Sequence, residues 1–143
     1  MITATQALEQ LQALANPEKA EQMQNSYKIA RLYLGVSNPE IDTLYKQWRD
    51  DVEGEARTEL AAELWDSNIH EARIAAAKLL TQARINPDDH VWEEITRWIP
   101  ELDHAVIADQ ACGAGARRLL AHPERLDQVA TWVQDEDIWV RRS

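Results

Sequence analysis

Two aspartates and two arginine pairs are the side chains in this 143-residue chain whose placement suggests chemistry. Asp103 and Asp109 flank an apolar run, Leu102-Asp103-His104-Ala105-Val106-Ile107-Ala108-Asp109-Gln110-Ala111-Cys112. Asp103 suits a helix N-cap, where a carboxylate accepts from first-turn N–H groups. Asp109 falls inside the helix among Ile107, Ala108, Ala111 and Cys112, so its carboxylate has to reach solvent, a partner or a groove. It is either an ordinary exposed helix acid or an acid facing a groove. Arg141 and Arg142, adjacent on a helix, point about 100° apart. One can face a groove while the other pairs with an acid, and plain solvated charge is the competing reading. Arg117-Arg118 is a second such pair, and Arg117 follows Asp109 by eight residues, roughly 12 Å along one helix face.

Other chemistries find no support. His70, His90, His104 and His122 lack metal-ligand spacing, and Cys112 is the only cysteine. There is no Gly-rich phosphate loop and no nucleophile elbow. No metal and no cofactor is expected. Gly113 and Gly115 are read as sites of close helix packing.

The elements that must position these residues are helical. Asn16-Pro17-Glu18 offers an N-cap, a proline at the first helical position and an acid in the first turn. Asn38-Pro39-Glu40 repeats that signature, and Asn86-Pro87-Asp88-Asp89 is a third version. Apolar stripes of helical period run through Ile41, Leu44, Tyr45 and Trp48, through Leu60, Leu64 and Trp65, and through Val91, Ile95 and Trp98. Another joins Ile74 to Leu79 and Leu80, with Lys78 the exception. These patterns predict helices near 3–15, 17–24, 38–50, 55–66, 69–83, 88–98, 103–121 and 123–133, and a start near 137. Short connections make neighbouring helices antiparallel. The fold class is all-α, one domain spanning 1–143.

Net charge is −10: −7 over residues 1–72 and −3 over 73–143. Nucleic-acid binders usually carry a basic footprint, so strong non-specific DNA affinity is not expected. The total does not exclude a local basic strip, because salt screens distant acids beyond about 8 Å. The N-terminus has neither a basic nor an apolar leader region, and no apolar run spans a bilayer. A cytoplasmic protein with no membrane partner is expected.

One stretch echoes another. Leu64-Trp65-Asp66-Ser67-Asn68-Ile69-His70-Glu71-Ala72-Arg73 is similar to Thr131-Trp132-Val133-Gln134-Asp135-Glu136-Asp137-Ile138-Trp139-Val140-Arg141-Arg142. Each has a Trp ending a helix, a polar turn, an Ile opening the next helix and an Arg four residues on. The two isoleucines are 69 residues apart, two units of about 35, a period that marks helical solenoids. The pattern resembles HEAT repeats, whose stacked helix pairs form an α-α superhelix with a concave face. The last unit breaks off after Ile138-Trp139-Val140-Arg141-Arg142-Ser143, about a turn or two into a helix. That predicts a chain cut short at its C-terminus, with an exposed end open to self-association.

The chain resembles the bacterial DNA alkylation repair glycosylases of the AlkD type, built of HEAT-like repeats. The matching stretches are Asn16 to Glu21 with Met23, Tyr33-Leu34-Gly35-Val36 with Pro39-Glu40, Glu63-Leu64-Trp65-Asp66 with Ala75-Ala76-Ala77, His122-Pro123-Glu124, and Trp132 with Ile138 to Arg142. The resemblance implies removal of cationic alkylated bases such as 3-methyladenine or 7-alkylguanine from double-stranded DNA. It matches Asp109 to the catalytic carboxylate, with Asp103 the alternative if the alignment slips. Arg142, with Arg141 beside it, matches the phosphate-contacting arginine. Three positions depart from the family's pattern. Ala105 stands where the family has a cleft tryptophan, Ser26 lines up with a cleft tyrosine that neighbouring Tyr27 can replace, and the second tryptophan falls past Ser143. The alternative reading is a non-catalytic HEAT-like module that binds DNA or protein.

Overall fold

Helix starts in this chain are set by short polar side chains. Thr3 opens α1 (Ala4–Ala13) through a reciprocal capping box with Gln6. Asn16 Oδ1 accepts the Lys19 N–H at 3.2 Å and starts α2 (Pro17–Tyr27), as its Asn-Pro-Glu signature predicts. The start of α3 (Asn38–Asp51) corrects the sequence reading by one residue. Ser37, not Asn38, is the cap, because its N–H and hydroxyl both reach Glu40 Oε1, at 3.4 and 2.8 Å. The chain continues through α4 (Gly54–Asp66), α5 (His70–Leu79), α6 (Asp89–Trp98) and α7 (Ala105–Ala121).

The computed structural model describes residues 2–27, 31–52, 54–81, 89–102, 105–125 and 127–129. Asp103, Arg141, Arg142, the predicted cap at Asn86 to Asp88 and the predicted helix start near 137 lie outside them. Two predicted spans change. The 69–83 helix ends at Leu79, where the Leu80 N–H is shared among the last carbonyls. The 123–133 helix is replaced at its start by a 3₁₀ turn over Pro123–Arg125, with residues 127–129 helical.

Among the described residues α3, α5 and α7 pack side by side as one row, and α4 and α6 form a second row against it. α1 packs on α3, α4 and α5 and closes the N-terminal end. The predicted stripes meet between the rows: Ile41, Trp48, Leu64, Trp65, Ile74, Leu79, Val91, Ile95 and Trp98 are all buried. α5 is central, with every residue from His70 to Ala77 buried. This is the stacked helix-pair architecture of a HEAT-like α-α superhelix.

The repeat period is visible in individual contacts. Arg31 Nε donates to Asn68 Oδ1 at 2.9 Å, 37 residues on. Lys78 Nζ meets Asp42 Oδ1 at 2.6 Å, 36 residues back, and Trp92 Nε1 donates to Gln128 Oε1 at 2.9 Å, 36 residues on. The arginine of the Ile69–Arg73 echo has a structural duty. Its Nε donates to the Trp65 carbonyl at 3.1 Å and its guanidinium lies 4.5 Å from the Trp65 ring centroid. Trp65 in turn stacks on Trp98 at 4.4 Å. The pair locks α4, α5 and α6 together, because a cation over an aromatic face gains most when desolvated.

Residues 31–36 carry the least predictable feature. This extended stretch makes a parallel bridge, Leu32 to Ile69, and the Leu32 carbonyl accepts the His70 N–H at 3.0 Å. Leu34 and Gly35 N–H donate to Glu71 Oε1 and Oε2 at 2.9 and 3.0 Å. The Leu34 carbonyl accepts from Asn16 N–H at 2.8 Å. The segment thereby ties the start of α2 to the start of α5.

Candidate functional site

α7 positions Asp109. The helix buries Ile107, Ala108, Ala111 and Ala114 where it packs on α5 and α6. The opposite side presents Asp109, Gly113 and Ala116, all exposed, at the i, i+4, i+7 spacing of one helix face. The two glycines divide accordingly. Gly115 is a packing position, its missing Cβ aimed at Ile95 Cγ2 3.7 Å away. A Cβ at Gly113 would meet nothing within 4 Å, so the expected packing role does not hold there. Asp109 therefore stands on a low stripe that a bulky ligand can approach closely. Of the Arg117-Arg118 pair, Arg118 is buried, and the Arg117 side chain lies outside the described residues.

Charge divides between the two rows. The α4–α6 row carries seven acids and two arginines, and both arginines are engaged within the protein. Arg57 donates to the Arg49 and Val52 carbonyls. Arg97 contacts Glu94 and, at 2.9 Å, Asp66. Its pKa is raised above the ordinary arginine value, chiefly by the hydrogen bond to Glu94; burial opposes the rise, and the hydrogen bond to Asp66 adds a smaller one. The α3–α5–α7 row carries six acids and six bases and is formally neutral. The strongly negative total is thus unevenly spread between the two rows, although two of the six bases in the row that holds Asp109, Arg73 and Arg118, are buried.

Ser26 lies elsewhere. It lines a cleft of about 480 Å³ between α2, residues 35–38 and the start of α5, together with Lys19, Met23, Ser37, His70 and Ile74. The cleft's described lining includes no residue of α7, so the structure does not bring Ser26 and Asp109 into one pocket.

Sequence reasoning passed over Glu71, a fully buried acid that accepts the Leu34 and Gly35 N–H groups. Its signal was faint: an acid in the first turn of a helix rich in alanine and apolar residues.

A family model described as DNA alkylation repair enzyme matches residues 7–143, almost the whole chain. No curated protein and no solved structure matches it. The match spans the two helix rows and the α7 stripe alike, and it begins upstream of the motifs that suggested it. The chain belongs to the family of DNA alkylation repair enzymes.

Proposed function

We propose that this chain is a DNA glycosylase that releases cationic alkylated bases from duplex DNA, with Asp109 as the carboxylate that stabilises the transition state. The observation that carries the reading is Asp109 exposed on the Gly113–Ala116 stripe of α7, in a family devoted to alkylation repair.

The chemistry asks little of the protein. A base alkylated at N3 or N7 bears positive charge, so it departs as a neutral leaving group without a general acid. The glycosidic electron pair goes to the base, and positive charge develops at the deoxyribose C1′ and ring oxygen. A carboxylate beside that centre lowers the barrier electrostatically. Water then adds to C1′ and loses a proton, leaving an abasic site and the free base. Because α7 offers an exposed face, the lesion need not enter a deep pocket. Arg141 and Arg142 are assigned to backbone phosphates by the resemblance alone.

Ala105 favours the second reading, a module that binds DNA without cutting it, because the family's aromatic wall is missing one turn before Asp109. Incubating the whole chain with a duplex containing 7-methylguanine and measuring free base by chromatography separates the two. Release that falls about 100- to 1,000-fold in Asp109→Asn supports catalysis by this acid. Release that is equal in both proteins sinks the role of Asp109. DNA binding with no release in either supports the binding module.

A further inference from the structure

Every residue of α5 but one is buried, and the exception is a cation: Lys78, which also interrupts the apolar stripe. Its ammonium lies 5.6 Å from the centroid of the Tyr45 ring on α3, within reach of the cation–aromatic attraction. The Arg49 guanidinium lies 6.0 Å from the same centroid. Lys46, the residue after Tyr45 on α3, is exposed. Among the described residues neither the Tyr45 hydroxyl nor the Lys46 ammonium has a hydrogen-bond or ion-pair partner. Arg49 reaches only Asp50, at 3.8 Å, too long for a hydrogen bond. Two cations therefore flank a phenolic donor where α3 meets α5, and a third, Lys46, is exposed on the same stretch of α3.

Two acids oppose them. Asp42 holds Lys78 at 2.6 Å, and Asp50 is 79% exposed. The Asp42 pair fixes Lys78 over the ring and does not consume Lys46, Arg49 or the Tyr45 hydroxyl. A tetrahedral anion fits this arrangement, with one oxygen accepting from the phenol and the others facing ammonium and guanidinium groups.

We propose that Tyr45, Lys46, Arg49 and Lys78 form a second seat for the DNA backbone, a phosphate site distinct from the lesion site at Asp109. The proposal rests on the reading that the chain acts on duplex DNA. α3 and α7 flank α5 in one row, and packed helices lie about 8–10 Å apart, so the two sites are roughly 16–20 Å apart across the row. At 3.4 Å per step that separates the phosphate from the reacting nucleotide by about five to six base pairs.

The test is a fluorescence-anisotropy titration of a plain duplex with the whole chain, repeated from low to moderate salt. Replacing both cations, Lys46→Ala with Arg49→Ala, should lower the steepness of log affinity against log salt by about 2. Tyr45→Phe should weaken binding about fivefold, the loss of one hydrogen bond. Asp50→Asn should strengthen it about threefold by removing a negative charge beside Arg49, a gain that no structural role for this exposed acid would produce. An unchanged slope in a double variant that melts like wild type overturns the phosphate seat and leaves the glycosylase reading standing. If the double variant fails to fold, unchanged affinity in Asp50→Asn has the same force. A wild-type chain that does not bind duplex at low salt overturns both.

Discussion

Glu71 and Asp109 are acids near the starts of two helices in the same row, and the fold treats them oppositely. Glu71 is fully buried, and each of its oxygens accepts a backbone N–H from a segment 36 or 37 residues earlier. Asp109 stands exposed above Gly113 and Ala116. A buried carboxylate with fixed donors holds structure together, because unmaking those bonds leaves polar groups without water. Asp109 also has a contact within the protein, but at an exposed site water screens such a contact and it contributes little to folding. Position within a helix does not separate the two kinds of acid; the surroundings do.

The contrast breaks most readily at Glu71. Glu71→Ala leaves the Leu34 and Gly35 N–H groups buried with no acceptor, each costing about 1–3 kcal/mol. A loss of about 3–5 kcal/mol, read as a fall in Tm of about 10–15 °C, is expected. Glu71→Gln, which keeps one acceptor oxygen, should lose about half as much. A Tm within a degree or two of wild type in Glu71→Ala would show that residues 31–36 are held by something else.

Asp109→Asn is the mirror experiment. Its effect should lie on the rate and not on stability: base release down by about 100-fold or more, with Tm within about 1 °C of wild type. If Tm falls by several degrees instead, Asp109 belongs with Glu71 as a structural acid and the contrast collapses.

Gly35 tests the donor side of the Glu71 clamp. Its φ of +79° lies in the left-handed region, and a Cβ there would stand 2.3 Å from the Asn16 carbonyl oxygen and 2.8 Å from the Ala20 nitrogen. Those atoms are backbone at the start of α2 and cannot swing aside. Gly35→Ala should cost about 2 kcal/mol or more. Thermal denaturation is again the measurement, and a neutral result would mean that α2 is free to shift away.

These cases show which parts of the molecule are legible in sequence. Asn16 announces its helix because cap, proline and acid are consecutive. The Asn38 reading slips by one residue because Ser37, one position earlier, donates to Glu40 through both its hydroxyl and its N–H. The buried stripes are legible because helix packing follows period. Residues 31–36 are not, since this apolar stretch satisfies its backbone through Asn16, Ile69, His70 and Glu71, partners chosen by the tertiary fold. Asp109 was legible as a candidate because an acid interrupts an apolar helix. That the stripe beside it is bare depends on which side of α7 meets α5 and α6, which the sequence leaves open.

Gly113 is where the smallest effect carries the most information about that stripe. A glycine in an exposed helix interior wastes backbone entropy, so Gly113→Ala should stabilise the chain by about 0.5–1 kcal/mol and raise Tm by about 2 °C. Gly113→Leu should keep most of that gain, since leucine is also a good helix former and no neighbour lies within 4 Å of the new Cβ. Gly115→Leu should instead collide with Ile95 and destabilise. If duplex DNA lies against the stripe to bring a deoxyribose to Asp109, the leucine at 113 stands in its path one turn away. Base release should then fall in Gly113→Leu while Tm rises, and fall less in Gly113→Ala. Full activity in Gly113→Leu would mean that DNA meets Asp109 from another direction, and that the bare stripe does not guide its approach.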